Sequence, residues 1–281
     1  MKAYFILILL LAGISGFAQE VQPTPEAIIY KQAGKDTLKA YCFKPKAAGL
    51  RPAILLFHGG AWKLGDASWT FERAKQFAEE GVVAFAIDYR LANKGLSPVD
   101  GVEDACAAFA WVRAHASEFN IDIHRVAGYG VSAGGHLVAC AATLPSVSQK
   151  PITWEQRPDA ILLYCAALNM AHDPYFNTLM KGKANPGRYS PSGFITQKLV
   201  PSLVIEGEKD SITFAADAKA FHDTAVSKGA HSSLFIYPGV GHLLTRNLKV
   251  QYRDFEPEPA FVADAKKQED SFLRSMGYYR N

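Results

Sequence analysis

Four short runs of this sequence carry almost no polar side chain: AILLF at Ala53–Phe57, VVAFAI at Val82–Ile87, AILLYCA from Ala160 and SLVIE from Ser202. A strand with water on one face alternates apolar and polar residues, whereas a strand apolar throughout is covered on both faces. The segments between the runs are longer and amphipathic. SWTFERAKQFAEEG closes at Gly81, and GVEDACAAFAWVRAHASEF places Val102, Ala105, Phe109 and Val112 at helical spacing. RVAGY and SSLFIY read as further strands and Tyr41–Phe43 as the end of an early one. SAGGHLVACAAT, TFAADAKAFHDTAVSKG and Ala260–Met276 read as helices. The alternation predicts an α/β fold, a mostly parallel central sheet with helices on both faces. Such sheets bind ligands at the carboxyl ends of their strands, so the residues that carry chemistry are expected directly after each run.

Those positions are distinctive. HGGAW, His58–Trp62, follows Phe57; GEKD, ending in Asp210, follows Glu206; PGVGH, ending in His242, follows Tyr237. The turn after Tyr129 fits two templates. Gly128, Gly130 and Ala133 read as the G-x-G-x-x-A of a dinucleotide-binding turn, and Gly130, Ser132 and Gly134 as the G-x-S-x-G that presents a nucleophilic serine. A dinucleotide turn opens the first βαβ unit and has an acidic residue about 20 positions on, at a strand end. Here several strands come first, and the corresponding position falls in the loop QKPITWEQRP. The nucleotide reading also leaves HGGAW, Asp210 and His242 without a role. Ser132 is therefore expected as nucleophile, with His242 as general base and Asp210 orienting its imidazole. Of the eight histidines, His242 directly follows the last strand in a glycine-flanked loop. Asp173 and Asp217 are the rival acids, and neither directly follows a strand.

HGGAW, DYRLA (Asp88–Ala92), VSAGGHL, GEKDSIT and GVGHLL together resemble the α/β-hydrolase superfamily. Within it they resemble the esterase/lipase group related to hormone-sensitive lipase, and more closely secreted bacterial acetyl- and feruloyl-esterase-like carbohydrate esterases. The resemblance runs from Tyr41 to Tyr278. It implies a carboxylic ester hydrolase that works through an acyl-enzyme and needs no metal or cofactor. It also implies an oxyanion hole formed by the N–H groups of Gly60, Ala61 and Ala133. Three positions depart from the group's pattern. Ala61 replaces the third glycine of HGGG, and its N–H serves provided its φ stays negative; Val131 stands before the serine where an acidic residue is common; Glu206 stands where many relatives carry His. His58 is expected to tie its loop down and His136 to pack under the serine turn. An amidase or peptidase of the same fold, a lipid esterase and a non-catalytic binding protein are the alternative readings.

The rest of the sequence sets the context. MKAYFILILLLAGISGFAQE has a basic start at Lys2, an apolar run from Ala3 to Ile14, and Gly16 and Ala18 spaced for cleavage before Gln19. Residues 1–18 are thus expected as a signal peptide and 19–281 as a single hydrolase domain, periplasmic or secreted, with no stable membrane anchor. At 281 residues, 49% hydrophobic, 20% charged and net +3, the chain has no clustered basic footprint for nucleic acid. Cys42, Cys106, Cys140 and Cys165 match no metal-binding spacing and are expected in the core, with a disulfide left open. Leu168–Val200 has no clear period, and its aromatics Tyr175, Phe176 and Tyr189 lead us to expect a small cap. Polar residues mixed with these aromatics suit a sugar ring, so the expected substrate is a short acyl ester, acetyl or feruloyl, of a small molecule or oligosaccharide. Trp62, Tyr175 and Phe176 are the expected substrate contacts.

Overall fold

The computed structural model describes residues 25–46, 48–93 and 95–279; the expected leader at 1–18 lies outside them. Eight strands form the central sheet: β1 (Glu26–Ala33), β2 (Asp36–Phe43), β3 (Arg51–Phe57), β4 (Val83–Ile87), β5 (Ile121–Val131), β8 (Ala160–Tyr164), β9 (Ser202–Gly207) and β10 (Ser232–Tyr237). The small hairpin β6 (Ser146–Val147) and β7 (Lys150–Pro151) stands apart. The order across the sheet is β1-β2-β4-β3-β5-β8-β9-β10. From β4 to β10 every pairing is parallel, while β1 with β2 and β2 with β4 are antiparallel. The sheet is thus mostly parallel with an antiparallel edge. Strand β1 is not foreshadowed by the residue pattern, because only Tyr30 of its eight residues is buried and little apolar alternation marks it.

The fully apolar runs occupy the middle of the sheet and feed two cores. In β3, Ala53, Leu55 and Phe57 face one core, and Ile54 and Leu56 face the other. Helices α2 (Pro98–Ala114), α4 (Ala133–Thr143) and α6 (Ala215–Ser227) cover the first face; α1 (Phe71–Glu79) and α7 (Pro259–Ser275) cover the second. Each fully buried Leu, Ile or Phe contributes about 1.5–3 kcal/mol of apolar burial. The motif DYRLA serves packing: Arg90 donates from Nε and Nη2 to the fully buried Asp104 and also bonds Asp100 and Glu103. All four cysteines are buried and free, so none of them forms a disulfide. Among the described residues no helix is long and apolar enough to cross a membrane.

The aperiodic segment 168–200 folds as α5 (Pro174–Met180) and two 3-10 turns, at Pro186–Tyr189 and Pro191–Phe194. It is a cap seated on the first core through Phe176, Leu179, Met180 and Tyr189, all buried. The side chains of Lys181 and Lys183 donate to the carbonyls of Leu96 and Gly95, and Asn169 donates to Asp217. The short α3 (Ala116–Phe119) continues α2.

Candidate active site

The sharpest constraint in the molecule lies between β5 and α4. Ser132 sits at φ 54°, ψ −117°, a strained conformation for a residue with a side chain. The turn is possible because its neighbours lack a Cβ. A Cβ on Gly130 would lie 2.5 Å from the Gly134 carbonyl oxygen, and one on Gly134 would lie 2.1 Å from the Phe57 carbonyl oxygen. The Ser132 N–H donates to the Tyr164 carbonyl at 2.9 Å, and its carbonyl accepts from His136 and Ala167. The backbone is thereby pinned on both sides, and Oγ is held at the sheet's carboxyl edge.

Two further strand ends meet it there. His242 Nε2 lies 3.0 Å from Ser132 Oγ, and His242 Nδ1 lies 2.7 Å from Asp210 Oδ2. Asp210 also accepts from the N–H groups of Ile212 and Thr213 at 2.7 and 2.8 Å, and from Thr213 Oγ1 at 2.9 Å. Burial pushes the Asp210 carboxyl up, but the hydrogen bond and charge of His242, with the other donors, outweigh it and bring it down to about 2. Asp210 is therefore an acceptor-only carboxylate, and Nδ1 carries the proton that faces it, which leaves Nε2 free to accept from Ser132. The rival acids lie elsewhere: Asp173 caps α5 by accepting from the Phe176 N–H, and Asp217 takes the Asn169 amide.

Cys165 completes a buried group with Asp210 and His242, their donor atoms all within 4.8 Å of one another. Burial above all, with the negative charge of the acid group beside it, pushes its thiol well above its usual value, so it is not the thiolate that a metal would need. The two nitrogens of His242 are already engaged by Asp210 and Ser132.

The HGGAW loop lies beside the serine. Gly60 takes φ 115°, and a Cβ there would meet the Leu64 carbonyl oxygen at 2.1 Å. The N–H groups of Lys63 and Leu64 both close on the Gly60 carbonyl. This tight turn holds Ala61 at φ 52° and Trp62 at 60°. The negative φ expected for Ala61 is therefore not found; the loop imposes a left-handed backbone at a cost of about 1–2 kcal/mol. The N–H groups of Gly60, Ala61 and Ala133 make no hydrogen bond to another described residue. Ala133 is the first residue of α4, where backbone N–H groups are unpaired and the helix favours negative charge.

Two histidines secure this arrangement. His58 stacks on Tyr89 at 4.4 Å, and the Tyr89 hydroxyl donates to the His58 carbonyl. His136, fully buried, accepts from the Trp62 indole N–H at Nδ1 and donates from Nε2 to the Tyr189 carbonyl. Burial pushes its imidazole down to about 4. Phe176 packs edge-on against both Trp62 and His136. Trp62 is 6% exposed and Phe176 0%, so direct substrate contact by Phe176 gives way to a supporting place beneath the loop. Tyr175 is 45% exposed, with its hydroxyl 3.4 Å from the Ala61 carbonyl.

Sequence reasoning missed Thr213 and Gln251. Thr213 follows Asp210 by three residues, the spacing of an acid that caps a turn, and this was a readable signal. Gln251 Oε1 accepts the N–H groups of His242 and Ser211 from outside any motif.

The fold is that of the α/β-hydrolases, and the site sets a serine, a histidine and an aspartate in one hydrogen-bonded line at the sheet's carboxyl edge. The family model described as BD-FAE matches residues 41–161. Thermogutta terrifontis esterase 2, in a form phosphoramylated by tabun, superposes with a TM-score of 0.81 at 27% identity, over 92% of this chain and 97% of that one. The propionate-bound form of the same Thermogutta esterase gives 0.79 at 27% identity, over 92% and 97%. A probable isoprenylcysteine alpha-carbonyl methylesterase of Oryza sativa subsp. japonica is 25% identical over 240 residues, 77% of this chain and 56% of its own length. The chain spans about half the length of the curated plant relatives it matches.

Proposed function

We propose that this protein is a carboxylic ester hydrolase in which Ser132 attacks the ester, His242 moves the protons and Asp210 orients His242. The observation that carries this reading is the unbroken hydrogen-bond line from Asp210 through His242 to Ser132. His242 Nε2 takes the Ser132 hydroxyl proton as Oγ bonds to the ester carbonyl carbon. The N–H groups of Gly60, Ala61 and Ala133 hold the oxygen that becomes negative. The C–O bond to the alcohol breaks, and the alcohol leaves with the proton from Nε2. Water then gives a proton to Nε2, attacks the acyl-enzyme and releases the acid and free Ser132. The assignment of Ala61 rests on its unpaired N–H, since its φ is not the one expected.

We infer a short acyl group, acetyl before feruloyl, carried on a carbohydrate alcohol, and export after cleavage of residues 1–18 from the domain 19–281. The cap is small, and exposed Tyr175 and His172 stand on it. The similar Thermogutta esterase has a propionate-bound form, which favours short acyl chains. Asn169, Lys181 and Lys183 bind the cap to the body, and Asp173 and Asn185 cap turns within it, so the sugar reading rests chiefly on Tyr175 and His172. The test is kcat/KM on 4-nitrophenyl acetate, butyrate and octanoate, on methyl ferulate, and on acetylated xylo-oligosaccharides. Acetate should exceed octanoate, and the oligosaccharides should release acetate. A steady rise to octanoate without glycan deacetylation marks a lipid esterase, and faster cleavage of arylamides or dipeptide anilides marks an amidase or peptidase.

A further inference from the structure

Glu206, near the end of β9, is fully buried. Its Oε1 accepts the Gly207 N–H at 3.0 Å, the Cys165 thiol lies against the carboxyl as a weak donor, and Oε2 has no partner of hydrogen-bond geometry among the described residues. The ionisable groups against it are Asp210 on the loop after β9 and Cys165 directly after β8, with His242 beyond Asp210. Asp210 is fixed as the anion by two N–H groups, the Thr213 hydroxyl and His242. Two adjoining carboxylates shielded from water cannot both be ionised, and two bare carboxylates face each other with acceptors only. A single proton resolves both problems. It belongs on the carboxyl with fewer donors, which is Glu206.

We propose that Glu206 is a neutral carboxylic acid that donates its hydroxyl proton to the Asp210 carboxylate, a positioning residue behind the Asp210–His242–Ser132 line. The proposal rests on the reading of Asp210 as the acid that orients His242. Burial first, and then the Asp210 charge, push the Glu206 carboxyl well above the usual carboxylate range, in keeping with the geometry. Cys165 is itself held protonated by burial and by the Asp210 charge, so it adds no charge. The neutral form matters for turnover. A donor behind Asp210 fixes its rotamer and spreads its charge. A second negative charge would over-stabilise the imidazolium and hinder return of the proton to the leaving alcohol.

The test compares wild type with Glu206→Leu and Glu206→Gln, each checked for folding and for active-serine titration by an organophosphonate. Glu206→Leu removes the donor and should lower kcat on the order of tenfold with little change in KM, since a hydrogen bond to a charged group is lost. It should also move the acid limb of kcat/KM upward, because undiluted charge on Asp210 stabilises the imidazolium. Glu206→Gln, which donates through its amide, should recover most of that loss. Infrared difference spectra at neutral pH, wild type minus Glu206→Gln, should show a protonated-carboxyl C=O stretch, and this readout does not depend on Glu206→Leu folding. Absence of that band, or a downward move of the acid limb in Glu206→Gln by about one unit, means that Glu206 is ionised and overturns the proposal. Asp210→Asn separates the two readings. If it retains near-normal turnover, the orienting role of Asp210 fails; if it is disabled while the infrared band is absent, only the Glu206 proposal fails.

Discussion

The serine turn and the cap segment meet within one site but are built on opposite principles. At the turn, the backbone leaves no room. A Cβ at Gly130 or Gly134 would strike backbone atoms at 2.5 Å or closer, and Ser132 holds a strained conformation between them. The cap is fastened at its rim by flexible side chains, with Lys181 and Lys183 on loop carbonyls and Asn169 on Asp217. Gly182 and Gly193, within the cap, meet nothing within 4 Å where a Cβ would go. The reacting atoms are set by sterics that no side-chain rotation can relieve. The surface over them is set by contacts that other residues could replace.

Four measurements break or sharpen this contrast. Ser132→Ala should lower kcat on the order of 10⁶-fold while thermal unfolding stays cooperative. Near-normal turnover by the folded variant would remove the nucleophile assignment. Asp210→Asn should preserve shape but favour the wrong His242 tautomer, at about 10⁴-fold in kcat. Asp173→Asn in the cap keeps an N-cap acceptor for the Phe176 N–H and should leave both turnover and stability nearly unchanged; the reverse ranking would mean the acid was wrongly chosen.

The third measurement falls on the joint between the two regions. The buried His136 is held near pKa 4, against an ordinary 6.5. The unfolded chain therefore takes up this proton first as pH falls, and the stability from neutral His136 is complete above about pH 6.5 and lost towards pH 4. Denaturant titrations should show a slope of up to about 1.4 kcal/mol per pH unit across that window from this group. His136→Gln should flatten the slope, and an unchanged slope would place the acid sensitivity elsewhere. The smallest effect belongs to the cap surface. Tyr175→Ala should change the acetate-to-octanoate preference by only a few-fold, of the order of one or two methylenes of burial, with kcat on acetate little affected. A collapse of kcat would mean that the cap takes part in positioning the reacting atoms.

The same contrast explains what the sequence revealed. The apolar runs placed β3, β4, β8 and β9 closely, since a strand buried on both faces has no polar residue to blur its limits. Ser132, Asp210 and His242 were readable as candidates because Ser132 directly follows β5 and the other two lie in the short loops that leave β9 and β10, and the glycines beside Ser132 record the clearance its turn needs. The left-handed Ala61 was not readable. Its conformation comes from the closure of Lys63 and Leu64 on Gly60, and alanine itself disfavours it. Burial of Phe176 was equally hidden, because one aromatic in an aperiodic segment does not reveal whether it meets a ligand or a neighbouring indole. Gln251 reaches the His242 N–H through tertiary folding alone.

The bond pattern at His136 has a practical consequence. Its ring accepts from an indole on one side and donates to a carbonyl on the other, so only one tautomer satisfies both partners. The three bonded residues come from three separate parts of the chain: the loop after β3, the helix behind the serine, and the cap. Nitrogen chemical shifts from this single ring would therefore act as a seating gauge. One isotope-labelled histidine could signal, without any substrate, whether all three parts are assembled.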